Sequence, residues 1–239
     1  MTGESASPAP VLSILVPVFN ERRTIEEAIE QIRSAALPVE RRELVVVDDG
    51  STDGTREWLT AQHWGADVRL VLHERNRGKG AAVRTALAEA TGRYATVMDA
   101  DLEYDPANIA PMLEPLLAGD VEAVYGVRGF QSHSAYSFWY VVGNKVVTFA
   151  LNLLYNSWLS DMMTCHKVLR TQHFRSLSLR EHGFGIEAEI TARLVRAGVR
   201  IYEVPVSYQA RSREDGKKLT AADGLRVLRT LVRCRVDRR

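Results

Sequence analysis

Two aspartates spaced i, i+2, Asp99 and Asp101, close the apolar run Thr96-Val97-Met98, and Glu103 follows two residues later. On extended backbone, alternate side chains point to the same face. Both carboxylates therefore project together from a strand end. Two hard oxygen anions at that spacing suit Mg²⁺ or Mn²⁺, which binds through one or two carboxylates and leaves its other positions to water and phosphate. Taken alone, the pair fits a strand ending in a solvated turn better than a metal site. The rest of the chain decides between the two.

The elements that must position this pair repeat along the first half. Residues 11–18 are nearly continuously apolar and read as a buried strand, ending near Pro17, which cannot donate to a ladder. Phe19-Asn20-Glu21 follows as a loop. Thr24 with Glu27 three positions on predicts a capping box, and Ile25, Ala28, Ile29 and Ile32 repeat at helical spacing. Strands are then expected at 44–47, 68–72, 94–98 and 123–126. The intervening helices are expected at 55–63 (capped by Asp53), at 81–90, and from Pro106 to 117. Strands alternating with helices mean βαβ units: an α/β chain with a mainly parallel sheet flanked by helices. Ligands bind at the carboxyl ends of such strands, which gathers Glu21, Asp49, Asp99 and Asp101 around one crevice. A crevice of that kind holds a diphosphate through a metal, with Asp49 and Glu21 accepting hydrogen bonds from a base or ribose. A nucleoside diphosphate leaves readily once a divalent ion offsets its charge, so the implied chemistry is transfer of whatever the diphosphate carries.

The second half is expected to be more helical. Residues 136–159 are rich in Phe, Trp, Tyr, Val and Leu, interrupted by Gly143-Asn144-Lys145. They read as one long or two shorter helices, either core or presenting an apolar face to a membrane surface or lipid substrate. A loop and short strand are expected over 161–170, a helix over 186–197 closed by Gly198, and a strand over 201–208. Residues 211–218 read as a mobile charged loop. In the helix at 220–235, Leu225, Leu228, Leu231 and Val232 form a stripe, with Arg226, Arg229, Arg233 and Arg235 mostly off it.

Composition narrows the classes. With 239 residues, 46% hydrophobic and 26% charged, the chain can bury a core. From Arg211 onward ten Arg/Lys meet four Asp/Glu, giving +6, while 21 against 26 in the preceding residues give −5. The basic tail points to an anionic partner. Cys165 and Cys234 lack metal or redox spacing and read as reduced thiols of a cytosolic protein. Residues 1–10 read as a flexible lead-in without signal-peptide character. No uncharged apolar run reaches the ~18–20 residues of a spanning helix. The six histidines show no zinc-like pairing, and neither a Gly-x-Ser-x-Gly elbow nor a P-loop lysine motif is present.

Four ordered motifs carry a resemblance: Val16-Pro17-Val18-Phe19-Asn20-Glu21, Val47-Asp48-Asp49-Gly50-Ser51-Thr52-Asp53-Gly54-Thr55, Asn76-Arg77-Gly78-Lys79-Gly80 and Asp99-Ala100-Asp101. Together they resemble a family 2 glycosyltransferase of GT-A (Rossmann-like) fold. Tyr125-Gly126-Val127-Arg128, Asp161-Met162-Met163-Thr164-Cys165-His166-Lys167 and Val204-Pro205-Val206-Ser207-Tyr208, leading to Arg211 and Lys217, resemble its dolichol-phosphate mannose synthase and polyprenyl-phosphate branch. The resemblance implies a GT-A domain over 11–210, with a nucleotide-sugar half (11–128), an acceptor half (129–210) and a basic loop and amphipathic helix beyond (211–239). Pro17, Phe19, Glu21, Val47 and Asp49 would cradle the nucleoside. Lys79, Asp99, Ala100 and Asp101 would handle the diphosphate, and Asp99, Asp101 and Glu103 the metal. Arg128, Arg211 and Lys217 would bind phosphates of donor and acceptor. Phe19 stands where Tyr is usual, Glu103 where the mannose synthases carry Gln, and Thr164-Cys165-His166-Lys167 where Thr-Ser-Gly-Phe is commoner.

The implied reaction is an inverting, metal-assisted transfer from a UDP- or GDP-sugar to a polyprenyl or dolichyl phosphate at the cytoplasmic, inner membrane face. Asp101 and Arg128 would serve the reacting groups. Attachment is expected to be peripheral, or through a membrane-protein partner or a second copy of the chain, with no nucleic acid involved. The alternative is a soluble enzyme glycosylating a hydroxyl in polysaccharide or secondary-metabolite assembly. A hydroxyl acceptor requires a base, for which Asp161 is the candidate.

Overall fold

The computed structural model describes residues 11–129, 138–210 and 221–237. Seven strands form one sheet: β1 (Leu12–Val18), β2 (Arg42–Asp48), β3 (Val68–Leu72), β4 (Tyr94–Val97), β5 (Ala123–Arg128), β6 (Lys167–Arg170) and β7 (Ile201–Val206). Their order is β3-β2-β1-β4-β6-β5-β7. Neighbours run parallel except at β6, which is antiparallel to both β4 and β5. Because β6 and β7 join β4 and β5, one sheet runs through both halves of the chain.

Alternation splits the core between the two sheet faces. Ile14, Val16, Leu44 and Val46 face α1 (Ile25–Ser34), α2 (Thr55–Ala61) and α4 (Ile109–Ala118), and pack with Ile25, Ile29, Leu59 and Leu113. Leu15, Val45 and Val47 face α3 (Lys79–Glu89), α6 (Thr171–Ser176) and α7 (Ile186–Arg196), and pack with Ala82, Ala86, Phe174 and Ile190. Strands buried on both faces read as continuous apolar runs for this reason. Each fully buried Val or Ile contributes roughly 1.5–3 kcal/mol. A third cluster joins α5 (Phe138–Tyr155), α7 and α8 (Ala221–Val236) through Leu151, Ala188, Ala192 and Leu231. The apolar second-half segment is thus one helix, uninterrupted at Gly143.

The β1–β4 ladder stops at Leu15↔Val97. Past it β1 continues beside β2 to Val18, carrying Pro17. The crevice opens where these two central strands part. Thr24 does not close a capping box, because no side-chain cap bond forms at that helix start. Its hydroxyl instead donates to the carbonyl of Ala100 (2.7 Å), which ties α1 to the aspartate turn.

Candidate active site

Loops after β1 and β2 are sewn together before they present anything outward. Asn20 sits at φ 54, receives Thr52 N on its Oδ1 (2.8 Å) and donates its own N–H to Ser51 (2.9 Å). Glu21 N donates to Thr55 Oγ1 (3.0 Å), and Arg22 N to Asp53 (3.1 Å). Asp48 is fully buried and bound by Arg56. Asp49, expected to meet a base or ribose, is 2% exposed. Its carboxylate already accepts Arg77 N (2.9 Å), Gly78 N (2.8 Å) and His73 Nδ1 (2.7 Å), so it shapes the glycine turn. Val47 is 0% exposed within the core and offers no side-chain surface to a nucleoside, contrary to the role implied for it. Pro17, Phe19 and Glu21 remain partly exposed at the crevice.

The glycine turn leads into α3 and is held from the far side. A Cβ at Gly78, which has φ +92, would lie 2.3 Å from the His182 carbonyl oxygen, and one at Gly80 would lie 2.4 Å from that of Glu181. Only glycine fits there. Between them Lys79 points inward. Its Nζ meets Asp99 Oδ2 (2.7 Å), Cys165 Sγ (3.0 Å) and Glu187 Oε1 (3.4 Å). Burial alone would favour the neutral amine, but Asp99, with Glu187 behind it, holds the Lys79 pKa well above its ordinary value. Burial likewise opposes the Asp99 carboxylate, and Lys79 overrides it, leaving the Asp99 pKa lowered. The ion pair is therefore present across neutral pH. Burial pushes the Cys165 thiol up, so it stays protonated.

Beneath this pair lies a floor that the sequence reading did not assign. Lys167, 1% exposed, is ion-paired with buried Glu187 and donates to the Thr164 carbonyl. His166 is fully buried, stacks on Tyr104 (centroids 4.5 Å apart) and lies 3.0 Å from Met98 Sδ. Burial, the largest cause, lowers its pKa to about 4. The available signal was a lysine at the head of the strand Lys167–Arg170 and a glutamate, Glu187, between the apolar Ile186 and Ala188 of α7. Between about pH 4 and 6.5 the unfolded chain binds a proton that folded His166 refuses, so stability falls as pH drops through that window. Urea unfolding should show about 2 kcal/mol less stability at pH 5 than at pH 7 from this group. His166→Phe should flatten that slope; an unchanged slope would remove the assignment.

The aspartate turn follows β4. Asp101 Oδ1 accepts Glu103 N (3.1 Å), and Leu102 between them takes φ 60, a left-handed conformation costing roughly 1–2 kcal/mol. Glu103 turns away towards Tyr208, whose hydroxyl donates to its carboxylate at 2.5 Å. Among the described residues no group of three or more His, Cys, Asp or Glu side chains could hold a metal ion. The expected Asp99, Asp101 and Glu103 triad is therefore not assembled, because Lys79 takes Asp99 and Tyr208 takes Glu103. A donor set of Asp101 beside Asp99 still fits an ion that draws its remaining ligands from water and diphosphate.

Arg128 ends β5. It grips Asp161 with two bonds, Nε–Oδ2 at 2.6 Å and Nη2–Oδ1 at 2.8 Å, and its guanidinium lies 5.2 Å from the Tyr208 ring centroid. The Arg128 backbone N–H (3.4 Å) and Asn144 of α5 (2.9 Å) also donate to Asp161. Burial alone would raise the Asp161 pKa, but Arg128 lowers it overall. A buried carboxylate held ionised by a guanidinium is a weak proton acceptor. Arg211 and Lys217 lie outside the described residues.

Residues 13–178 match the family described as Glycosyl transferase family 2. The Glycosyltransferase AglJ of Haloferax volcanii is 29% identical over 206 residues, covering 85% of this chain and 65% of that one. The chain thus spans less than two thirds of that relative's length. The Dolichol-phosphate mannosyltransferase of Mycosarcoma maydis is 28% identical over 229 residues, covering 90% and 76%. Among solved structures, glucosyl-3-phosphoglycerate synthase from Mycobacterium tuberculosis, in complex with Mn²⁺, UDP-glucose and phosphoglyceric acid, aligns at a TM-score of 0.71 and 22% identity. That alignment covers 95% of this chain and 80% of the other. At that identity the likeness is one of fold, and the fold is GT-A.

Proposed function

The chain belongs to glycosyl transferase family 2, and we propose that it moves a sugar from a nucleotide-diphosphate sugar to a polyprenyl phosphate. The observation that carries the acceptor class is the Arg128–Asp161 pair. The carboxylate that a hydroxyl acceptor would need as base is spent on Arg128, whose permanently charged guanidinium lies against Tyr208, the residue bonded to Glu103 after the aspartate pair. A phosphate monoester needs such a cation. With a second pKa near 6 it is already largely ionised at neutral pH and needs little base.

In the proposed step an acceptor phosphate oxygen attacks the anomeric carbon. The bond from that carbon to the diphosphate breaks in line, and its electron pair leaves with the nucleoside diphosphate. Asp101, with Asp99 beside it, would hold Mg²⁺ or Mn²⁺ against the diphosphate. When bound, such an ion supplies Lewis acidity that offsets the leaving group's charge. Lys79 keeps Asp99 ionised and in place. The loops carrying Phe19 and Glu21 would receive the nucleoside, whose base remains UDP- or GDP-type. Arg128 orients the attacking phosphate.

A membrane-surface location agrees with α5. Trp139 (77% exposed), Val146, Phe149 and Leu153 form an exposed apolar row along it, and Trp158 beyond its end is 89% exposed. On α8, Leu225, Val232 and Val236 are also exposed, beside Arg229 and Arg235. Among the described residues no helix is long and apolar enough to cross a membrane. One experiment tests both parts: Mn²⁺ or Mg²⁺, a panel of UDP-, GDP- and dTDP-sugars, and a short polyprenyl phosphate in anionic vesicles. Mass spectrometry should find a glycosyl phosphate lipid, and the protein should sediment with the vesicles. Products only on hydroxyl acceptors would overturn the acceptor class; protein left in the supernatant would overturn the membrane part.

A further inference from the structure

We propose that Glu181 is a positioning residue for the donor diphosphate: it ties the C-terminal helix α8 to the glycine turn that carries Lys79, and so sets how well that turn receives a nucleoside diphosphate. The inference rests on the transfer reading above and extends it to a residue outside all of the crevice motifs.

Residues 180–182 are bonded to two layers at once. Towards α3, the carbonyl oxygens of Glu181 and His182 fill the space where side chains at Gly80 and Gly78 would begin. The Glu181 carbonyl accepts from Arg84 of α3, and the His182 carbonyl accepts Ala81 N (3.3 Å). Towards α7, fully buried Glu189 accepts Arg180 N (2.8 Å) and Glu181 N (2.7 Å) on one oxygen and Arg193 on the other. The Glu181 carboxylate goes to α8 itself, where its Oε1 takes Thr230 Oγ1 (2.9 Å) and Arg233 Nη2 (2.7 Å). An exposed Arg–Glu pair contributes little alone. Here the second donor, Thr230, is buried, and the Glu181 side chain is only 12% exposed.

One residue thus bonds α3 through its carbonyl and α8 through its carboxylate. Against both glycines the contact is backbone on backbone, with no flexible side chain between to absorb a displacement. Packing that close transmits strain. A shift of Glu181 is therefore passed to Gly78 and Gly80, and Lys79 stands between them with its Nζ on Asp99 (2.7 Å).

Three measurements on the full chain test this. Hydrogen exchange of the Arg77–Ala82 amides, read by mass spectrometry on the ligand-free chain, reports the turn itself. Calorimetric titration with Mn²⁺ and UDP or GDP reports the donor site. Steady-state transfer gives the polyprenyl phosphate KM. Glu181→Ala should speed exchange over 77–82 about tenfold. It should weaken nucleoside diphosphate binding about fivefold, the low end of coupling between separate sites, with the acceptor KM within about twofold of the parent. Glu181→Gln keeps an Oε1 that accepts from Thr230 and Arg233, and should restore exchange and affinity to within about twofold. Thr230→Val combined with Arg233→Leu removes the α8 donors without touching residues 180–182. It should match Glu181→Ala, and adding Glu181→Ala to it should do no further harm, because the three residues share one interaction. Unchanged exchange in Glu181→Ala would overturn the proposal, as would faster exchange with unchanged nucleoside diphosphate affinity. An acceptor KM that rose in step with the lost affinity would show general loosening and overturn it too. A parent chain that binds neither UDP nor GDP would overturn the transfer reading, whereas the exchange measurement needs no ligand and still decides whether Glu181 holds the turn.

Discussion

Asp101→Asn is expected to cut turnover by about 10²–10³-fold while leaving stability within about 1 kcal/mol of the parent. Loss of that size corresponds to roughly 3–4 kcal/mol of transition-state stabilisation. Stability should survive because asparagine keeps an Oδ1 for the Glu103 amide, the bond that closes this turn. Asp99→Asn should behave differently although it lies only two residues away. Asp99 is the nearest anion to Lys79, whose side chain is 11% exposed. Replacing it leaves that ammonium with Glu187 at 3.4 Å and a protonated thiol. Breaking a buried pair on one side costs about 3 kcal/mol or more, so Asp99→Asn should lose both activity and urea stability. Single-turnover rates and urea midpoints for the two variants check this. Equal stability losses would dissolve the division of labour between a diphosphate-facing Asp101 and an internally paired Asp99.

That division shows where sequence reading reaches its limit. The strands were legible because burial on both faces makes them continuous apolar runs, and the parallel order brought the polar loops to one edge. The Asp99-Ala100-Asp101 turn was placed correctly at the end of β4 by the same logic. What could not be read were partners set by distant chain. Thr24 looked like a cap because Glu27 stands three residues on, yet its hydroxyl is taken by a carbonyl 76 positions away. Asp49 accepts from Arg77, Gly78 and His73, partners 24 to 29 positions away that no local pattern shows. Helix α6, six residues long, is too short for its periodicity to stand out. The antiparallel insertion of β6 between β4 and β5 leaves no local mark at all. Element positions, set by the local apolar pattern, were legible; side-chain partners supplied by distant chain were not.

Arg128 shows how the two kinds of role can be separated experimentally. Arg128→Met should abolish transfer to a phosphate acceptor and also cost about 3–5 kcal/mol, because Asp161 is left buried and ionised with the neutral N–H donors of Asn144 and the residue-128 backbone in place of the guanidinium. The single variant therefore cannot tell an acceptor site from a structural ion pair. Combining it with Asp161→Asn removes both charges. Asparagine can still accept from Asn144, and loss of a whole buried pair is far cheaper than loss of one partner. The double variant should recover to within about 2 kcal/mol of the parent in urea unfolding. Transfer should nevertheless stay at least about 10²-fold down, since the guanidinium proposed to meet the acceptor phosphate is gone. Recovered stability without recovered transfer assigns Arg128 to the acceptor phosphate. Transfer that returned together with stability would make the pair a scaffold, and the acceptor phosphate would have to be held by other cations.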